Sequence, residues 1–282
     1  MGADLMLCLG CDPKEALAER EGESGDIALL QLAKRRAQAQ GIIAAHGEEA
    51  LDAEVTQIVA GRDGPEERQT SIREMLSSTD VLDKYAPHCE HCPASIFDER
   101  FGCWGYIPYP ISESAERWMM SRVQPPDTLG GFLMLAAIDD FGYDGGSLRA
   151  WRERGLFELP EAPTVSLATR ELESPVVSEM ITVSADQIFQ ALFCIGEPLD
   201  PVHCLGVLLW LGALHIGGSV PDDIDPALLR ALNDAKPGGA RQLAAGFDVG
   251  APSDDAGVLS MQRLLLALYT SWVIDAPLWI DA

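Results

Sequence analysis

Five cysteines within the first 103 residues carry the densest metal or redox chemistry in this sequence: Cys8 with Cys11, Cys89 with Cys92, and Cys103 shortly after. Two C-x-x-C pairs are the minimum that surrounds one tetrahedral ion with four thiolates, because each pair holds two adjacent coordination positions from a tight turn. Gly10 gives the first knuckle backbone freedom, and Pro93 stops a helix just after the second. A single structural zinc held by Cys8, Cys11, Cys89 and Cys92 is the expectation, with Cys103 either a further ligand or a small buried hydrophobe. Closing the chain from Cys11 to Cys89 costs loop entropy that grows slowly with length, whereas zinc contributes about 10 to 16 kcal/mol in finger peptides. His88 and His91 each precede a cysteine directly, so neither easily joins its neighbour on the same ion; an outer hydrogen-bonding role suits them better.

Two other sulfur chemistries compete. An iron-sulfur cluster also takes four cysteines, but Cys92-Pro93 matches only the last step of a ferredoxin run. A thiol-redox pair needs a lowered thiol pKa, which the start of a helix near Pro13 favours at the first pair. Helices, rather than alternating strands, fill the chain beyond it, which speaks against a thioredoxin-like fold. A metal-dependent or thiol-redox enzyme acting at the Cys89–Cys103 loop is therefore the alternative function. His203 and Cys204 are adjacent, an arrangement that points two helical side chains apart and suits a satisfied core histidine. The acidic groups Asp139, Asp140 and Asp144, and Asp222, Asp223 and Asp225, lack the full ligand pattern of a calcium loop. With no nucleophile elbow, phosphate loop, dinucleotide glycine pattern or H-E-x-x-H helix, the enzyme question stays open, and a zinc-stabilised interaction or regulatory protein is the leading function.

Charge narrows the partners. The 282 residues hold 44 acids against 20 lysines and arginines, a net charge of -24, which disfavours nucleic acid because backbone binding needs clustered cations. A protein partner, with a basic surface suited to this acidic one, is expected. The longest apolar run, 202–216, falls short of the roughly twenty residues that span a bilayer, and the N-terminus lacks the basic-flanked apolar stretch of a secretory signal. The expectation is no membrane and a cytoplasmic protein, where paired cysteines bind metal or do redox work more often than they form structural disulfides.

Apolar periodicity predicts helices at 13–21, 27–46 and 48–59, and another from Pro65 with Ile72, Met75 and Leu76 on its buried face. Lys34, Arg35 and Arg36 are expected to reach solvent. Residues 84–111 are rich in Cys, Pro, Gly and aromatics, including Phe101, Trp104, Tyr106 and Tyr109, and read as an irregular loop. Helices are predicted at 112–123, 128–138, 147–154, 184–196 with a Ser184–Gln187 capping box, 201–216, 226–233 and 258–273. Strand signals at 165–167 and 180–183 predict a small β-hairpin or edge sheet near 163–183. The apolar tail 276–282 is expected to dock on its own body or on another subunit. The fold class is thus mainly α: an irregular multi-helix single domain over 1–282. It divides loosely into a helical segment, 1–110, closed by the paired cysteines, and a helical core, 111–282, with the small β element.

Overall fold

The computed structural model describes residues 2–61, 64–97, 101–154, 168–173, 180–216 and 244–281. The protein is mainly helical, with small sheets of two or three strands. It divides into two compact units, one made of Met1–Leu9 with Gly105–Ala282 and the other of Gly10–Trp104. Strand β1 (Gly2–Leu7) opens the first of these.

The contiguous unit begins with α1 (Asp12–Glu21) and α2 (Gly25–His46), which pack on one another. Pro13 sits in the first turn of α1, where its missing N–H has no helical partner to lose. Gly25 permits the close crossing: a Cβ there would lie 2.0 Å from the Lys14 carbonyl oxygen, which leaves no room for any side chain. Leu17, Leu29, Leu32 and Ala33 are buried. After a 3-10 turn at Glu48–Asp52, β2 (Glu54–Gly61) pairs antiparallel with β3 (Gly64–Ser71) in full register from Glu54↔Ser71 to Gly61↔Gly64. Helix α3 (Ile72–Ser78) follows at once. Ser71 Oγ accepts from the Glu74 N–H at 3.2 Å while the Glu74 carboxylate accepts from the Ser71 N–H at 3.0 Å, a complete capping box. Ala39, Ile72 and Met75 form the centre of a core joined by Ile42, Ile43, Leu51, Val55 and Leu76.

This hairpin corrects the expectation of a helix over 48–59 and of a helix start at Pro65. Only Glu48–Asp52 is helical, and Pro65 lies within β3. Val55, Thr56, Ile58 and Val59 are β-branched, and that composition favours a strand over the apolar spacing that suggested a helix. Arg36 departs from expectation too. It is buried, and its guanidinium donates to Thr79 Oγ1 at 3.1 Å, to the Thr79 carbonyl at 2.6 Å and to Asp83 at 2.8 Å. Those bonds tie α2 to the turn Asp80–Lys84, which leads into the short helix α4 (Ala86–Cys89).

The remaining unit holds β4 (Trp104–Pro108), α5 (Glu113–Arg122), α6 (Leu129–Phe141) and α7 (Gly146–Glu153). Next come β5 (Thr169–Glu173), β6 (Met180–Ser184), α8 (Ala185–Phe193), α9 (Pro201–Trp210), β7 (Leu214–Ile216), β8 (Ala244–Phe247), α10 (Ala256–Ile274) and β9 (Leu278–Asp281). Short polar side chains start the helices: Ser112, Thr128, Asp200 and Asp255 each accept a hydrogen bond from a first-turn N–H. Apolar α9 and α10 pack together, and α10 also meets α5. Helix α10 has the length and hydropathy to cross a membrane, yet Val258, Met261, Leu264, Leu265 and Leu268 are buried within the unit, as in a core helix.

A hairpin is present in the 169–184 region as β5 with β6, Leu172 facing Ile181, its second strand matching the 180–183 signal. The 165–167 signal and the helix at 226–233 fall outside the described residues. The helix expected over 201–216 ends at Trp210, and Leu214–Ile216 pairs with β8 instead. The tail docks on its own unit: β9 pairs with β1 from Asp4↔Asp281 to Leu7↔Leu278, giving a sheet of order β4-β1-β9.

Candidate metal centre

Cys11 is the N-cap residue of α1, with extended backbone, and its carbonyl accepts from the Glu15 N–H at 3.1 Å. A helix N-terminus favours negative charge, so this position suits a thiolate. Cys89 closes α4, and its carbonyl accepts from the Cys92 N–H at 3.3 Å, which folds the second C-x-x-C into a turn. The Cys92 carbonyl accepts in turn from Ser95 at 2.9 Å. The Gly102 carbonyl then takes both the Ile96 and Phe97 N–H groups, at 2.9 and 3.0 Å, folding the segment with Cys103 back over the one after Cys92. A Cβ at Gly102 would lie 2.4 Å from Ser95 Oγ and 2.8 Å from the Phe97 carbonyl oxygen, so the return depends on glycine. Cys103 itself is buried, at 6% exposure.

Cys11, Cys89, Cys92 and Cys103 thus belong to one unit and lie within electrostatic reach of one another. Burial is the main force raising the pKa of Cys11, Cys89 and Cys103, the last to about 12, and charge on neighbouring sulfurs adds to it. Lys14 opposes the rise at all three. Its side chain is 6% exposed and its ammonium lies 2.6 Å from Asp26. Burial would lower the Lys14 pKa, but Cys103, Asp26 and Cys11 together outweigh burial and raise it.

Cys8 belongs to the other unit, where its N–H donates to the Pro277 carbonyl at 2.8 Å and its thiol lies 3.6 Å from the Met6 carbonyl. His88 and His91 are exposed. None of the seven cysteines is in a disulfide. Among the described residues, no three His, Cys, Asp or Glu side chains converge closely enough to ligate a single ion.

Elsewhere the chemistry resolves into structure. His203 Nε2 lies 2.9 Å from the Ala191 carbonyl, the satisfied core histidine expected from sequence. Cys204 is buried, takes a 3.4 Å hydrogen bond from Ser271 Oγ, and is held protonated by burial, its pKa pushed up to about 12. Asp144 accepts from the Gly146 N–H at 2.6 Å at the start of α7. Phe101 and Trp104 are buried, whereas Tyr106 is 45% exposed.

Sequence reading passes over Lys14, Asp26 and Gly102 at the thiol cluster. Their signal lies in pairing across α1 and α2 and in close backbone approach, neither of which has a local pattern. It also passes over Arg152, which bonds Asp186 at 2.9 Å and Glu116 at 2.7 Å, joining α7 to α8 and α5 in a buried ion group. The contiguous unit carries an open cleft of about 450 Å³ walled by Ile42, Ala45, Val55 and Met75, with Gln38 and His46 among its polar groups. Comparison with protein-family models, with curated proteins and with solved structures gives no match to this chain.

Proposed function

We propose that this chain is a zinc-stabilised interaction or regulatory protein, with the ion held by Cys11, Cys89, Cys92 and Cys103 in the unit Gly10–Trp104. The observation that supports this reading is that those four cysteines, from the N-cap of α1, the C-terminus of α4 and the folded-back loop, belong to one unit and influence one another electrostatically, although no three of them converge as the structure stands. Two C-x-x-C pairs suggested Cys8 as the fourth ligand. Cys103 is preferred because it lies in the same unit and within electrostatic reach of the other three. Binding requires each thiol to lose its proton, so the raised pKa values of Cys11, Cys89 and Cys103 oppose loading, and the charge of the ion must outweigh them. The same shifts weigh against a thiol-redox enzyme, which needs a sulfur ionised near neutral pH.

The interaction role rests on the absence of any assembled catalytic motif in the sequence and on the surplus of acidic residues, which suits a basic protein partner. Seven unpaired-by-disulfide cysteines suit a reducing compartment such as the cytoplasm. Elemental analysis of unlabelled protein tests the metal directly. About one zinc per chain, lost together with folding of residues 10–104 on chelation, is expected. Visible charge-transfer bands would replace zinc by an iron-sulfur cluster. Protein that is metal-free as purified, takes up no added zinc and unfolds at the same temperature with or without chelator would overturn the metal reading. Zinc loss in C8A but not in C103A would restore Cys8 as the fourth ligand.

A further inference from the structure

We propose that Cys89 and Cys92 are a redox-modification site, a dithiol that a low-molecular-weight disulfide such as oxidised glutathione closes into an intramolecular disulfide. The inference stands on the turn between the two residues and holds with or without a bound ion. The Cys89 carbonyl accepts from the Cys92 N–H at 3.3 Å, and Glu90, the next residue, has φ -60° and ψ -29°, as at the first central position of a type I turn. Such a turn keeps the α-carbons of its end residues within about 7 Å, and a disulfide spans α-carbons about 4.4 to 6.8 Å apart. In a continuing α-helix the N–H of residue 93 would take the Cys89 carbonyl, but Pro93 has none to offer, so that carbonyl is left to Cys92. Access favours the same pair. Cys89 and Cys92 are half-buried and His88, Glu90 and His91 beside them are exposed, whereas Cys103 and Cys204 are buried. All seven cysteines are free thiols.

The reaction is a thiol–disulfide exchange. One cysteine gives up its proton and its sulfur attacks oxidised glutathione, which forms a mixed disulfide and releases one glutathione thiolate. The other cysteine gives up its proton and attacks the protein sulfur of that mixed disulfide, forming the Cys89–Cys92 bond and releasing the second glutathione. Two protein thiols are oxidised, one glutathione disulfide is reduced to two thiols, and the two protons pass to the released sulfurs. The chain is the substrate of this chemistry and not its catalyst. Closure also withdraws both sulfurs from any ion. The test incubates the reduced full-length chain with oxidised glutathione at a series of ratios to the thiol, with a chelator present so that no metal shields a sulfur. Acid quenching, alkylation and peptide mapping by mass spectrometry then locate the product. A Cys89–Cys92 disulfide is expected, with an equilibrium for closure at least about tenfold more favourable than for the same chain in urea, because the turn has already ordered the two residues between the sulfurs. A pair that stays reduced or stops at the mixed disulfide would overturn the proposal, as would Cys89 or Cys92 joining Cys11 or Cys103 in preference. Closure no more favourable than in urea would overturn it as well, since the turn would then contribute nothing.

Discussion

The Arg36 guanidinium donates to the Thr79 carbonyl at 2.6 Å, joining the middle of α2 to the residue that ends α3. Thr79 Oγ1 and Asp83 take two further bonds, so one side chain holds the approach to α4 and hence the position of Cys89. R36M is expected to destabilise the unit Gly10–Trp104 by about 2 to 4 kcal/mol, because charge-assisted bonds are lost and the buried Thr79 carbonyl loses its donor. Hydrogen exchange would show the loss concentrated in α2, α3 and α4. Uniform loss across both units would contradict it.

Gly102 is expected to tolerate no side chain. G102A forces a Cβ toward Ser95 Oγ and the Phe97 carbonyl, a strain of about 1 to 3 kcal/mol by analogy with overpacked cores. Displacing the return segment moves Cys103, so zinc content should fall along with thermal stability. Unchanged zinc content at reduced stability would separate the glycine from the site.

The Arg152 group gives a test in the other unit. Glu116 is 5% exposed, Asp186 fully buried, and burial raises the Glu116 pKa despite the guanidinium beside it. R152M leaves both buried carboxylates without this partner, and a loss of about 3 to 5 kcal/mol is expected by urea unfolding. The double variant R152M with E116Q should recover part of that loss. No recovery would mean that charge burial is not the source.

His203 supplies a pH dependence of known sign. Burial pushes its pKa below the usual imidazole value, against the opposing effects of the Ala191 carbonyl and Asp200. The unfolded chain therefore takes up a proton first as pH falls. The stability linked to this group is fully present above about 6.5 and is lost as pH drops toward the lower folded value. Urea unfolding at pH 7.5 and below 6 should show a decline that H203Q lacks. Parallel declines in the two proteins would remove His203 as the source.

Legibility followed locality. Helices with a capping residue and an apolar face, such as α5 with Ser112 and α10, could be read within a few residues. The start of α3 carries an equally local signal, Ser71 with Glu74, which competes with the helix-start pattern at Pro65. The β2–β3 hairpin has no unambiguous local signal, because Leu51, Val55, Ile58 and Val59 fit helical spacing as well as strand composition; pairing with β3 decides between them. Type and spacing single out the cysteines but not which of them share a unit: Cys8 and Cys11 form one C-x-x-C pair, yet the boundary between the units falls between them. Lys14 was not legible, since its partners lie on another helix and across the loop, and a lysine early in a helix reads as a solvated surface residue.

The sheet order β4-β1-β9 also governs the timing of folding during synthesis. Strand β1 is the middle strand and precedes both its partners in the chain, so one edge stays unpaired until β9 has been made. The unit Gly10–Trp104 is continuous in sequence and can complete its hydrogen bonding while most of the other unit is still untranslated. While the intervening residues are being made, Leu5, Met6 and Leu7 therefore lack their last partner strand, and the nascent chain must be kept from pairing that edge with something else.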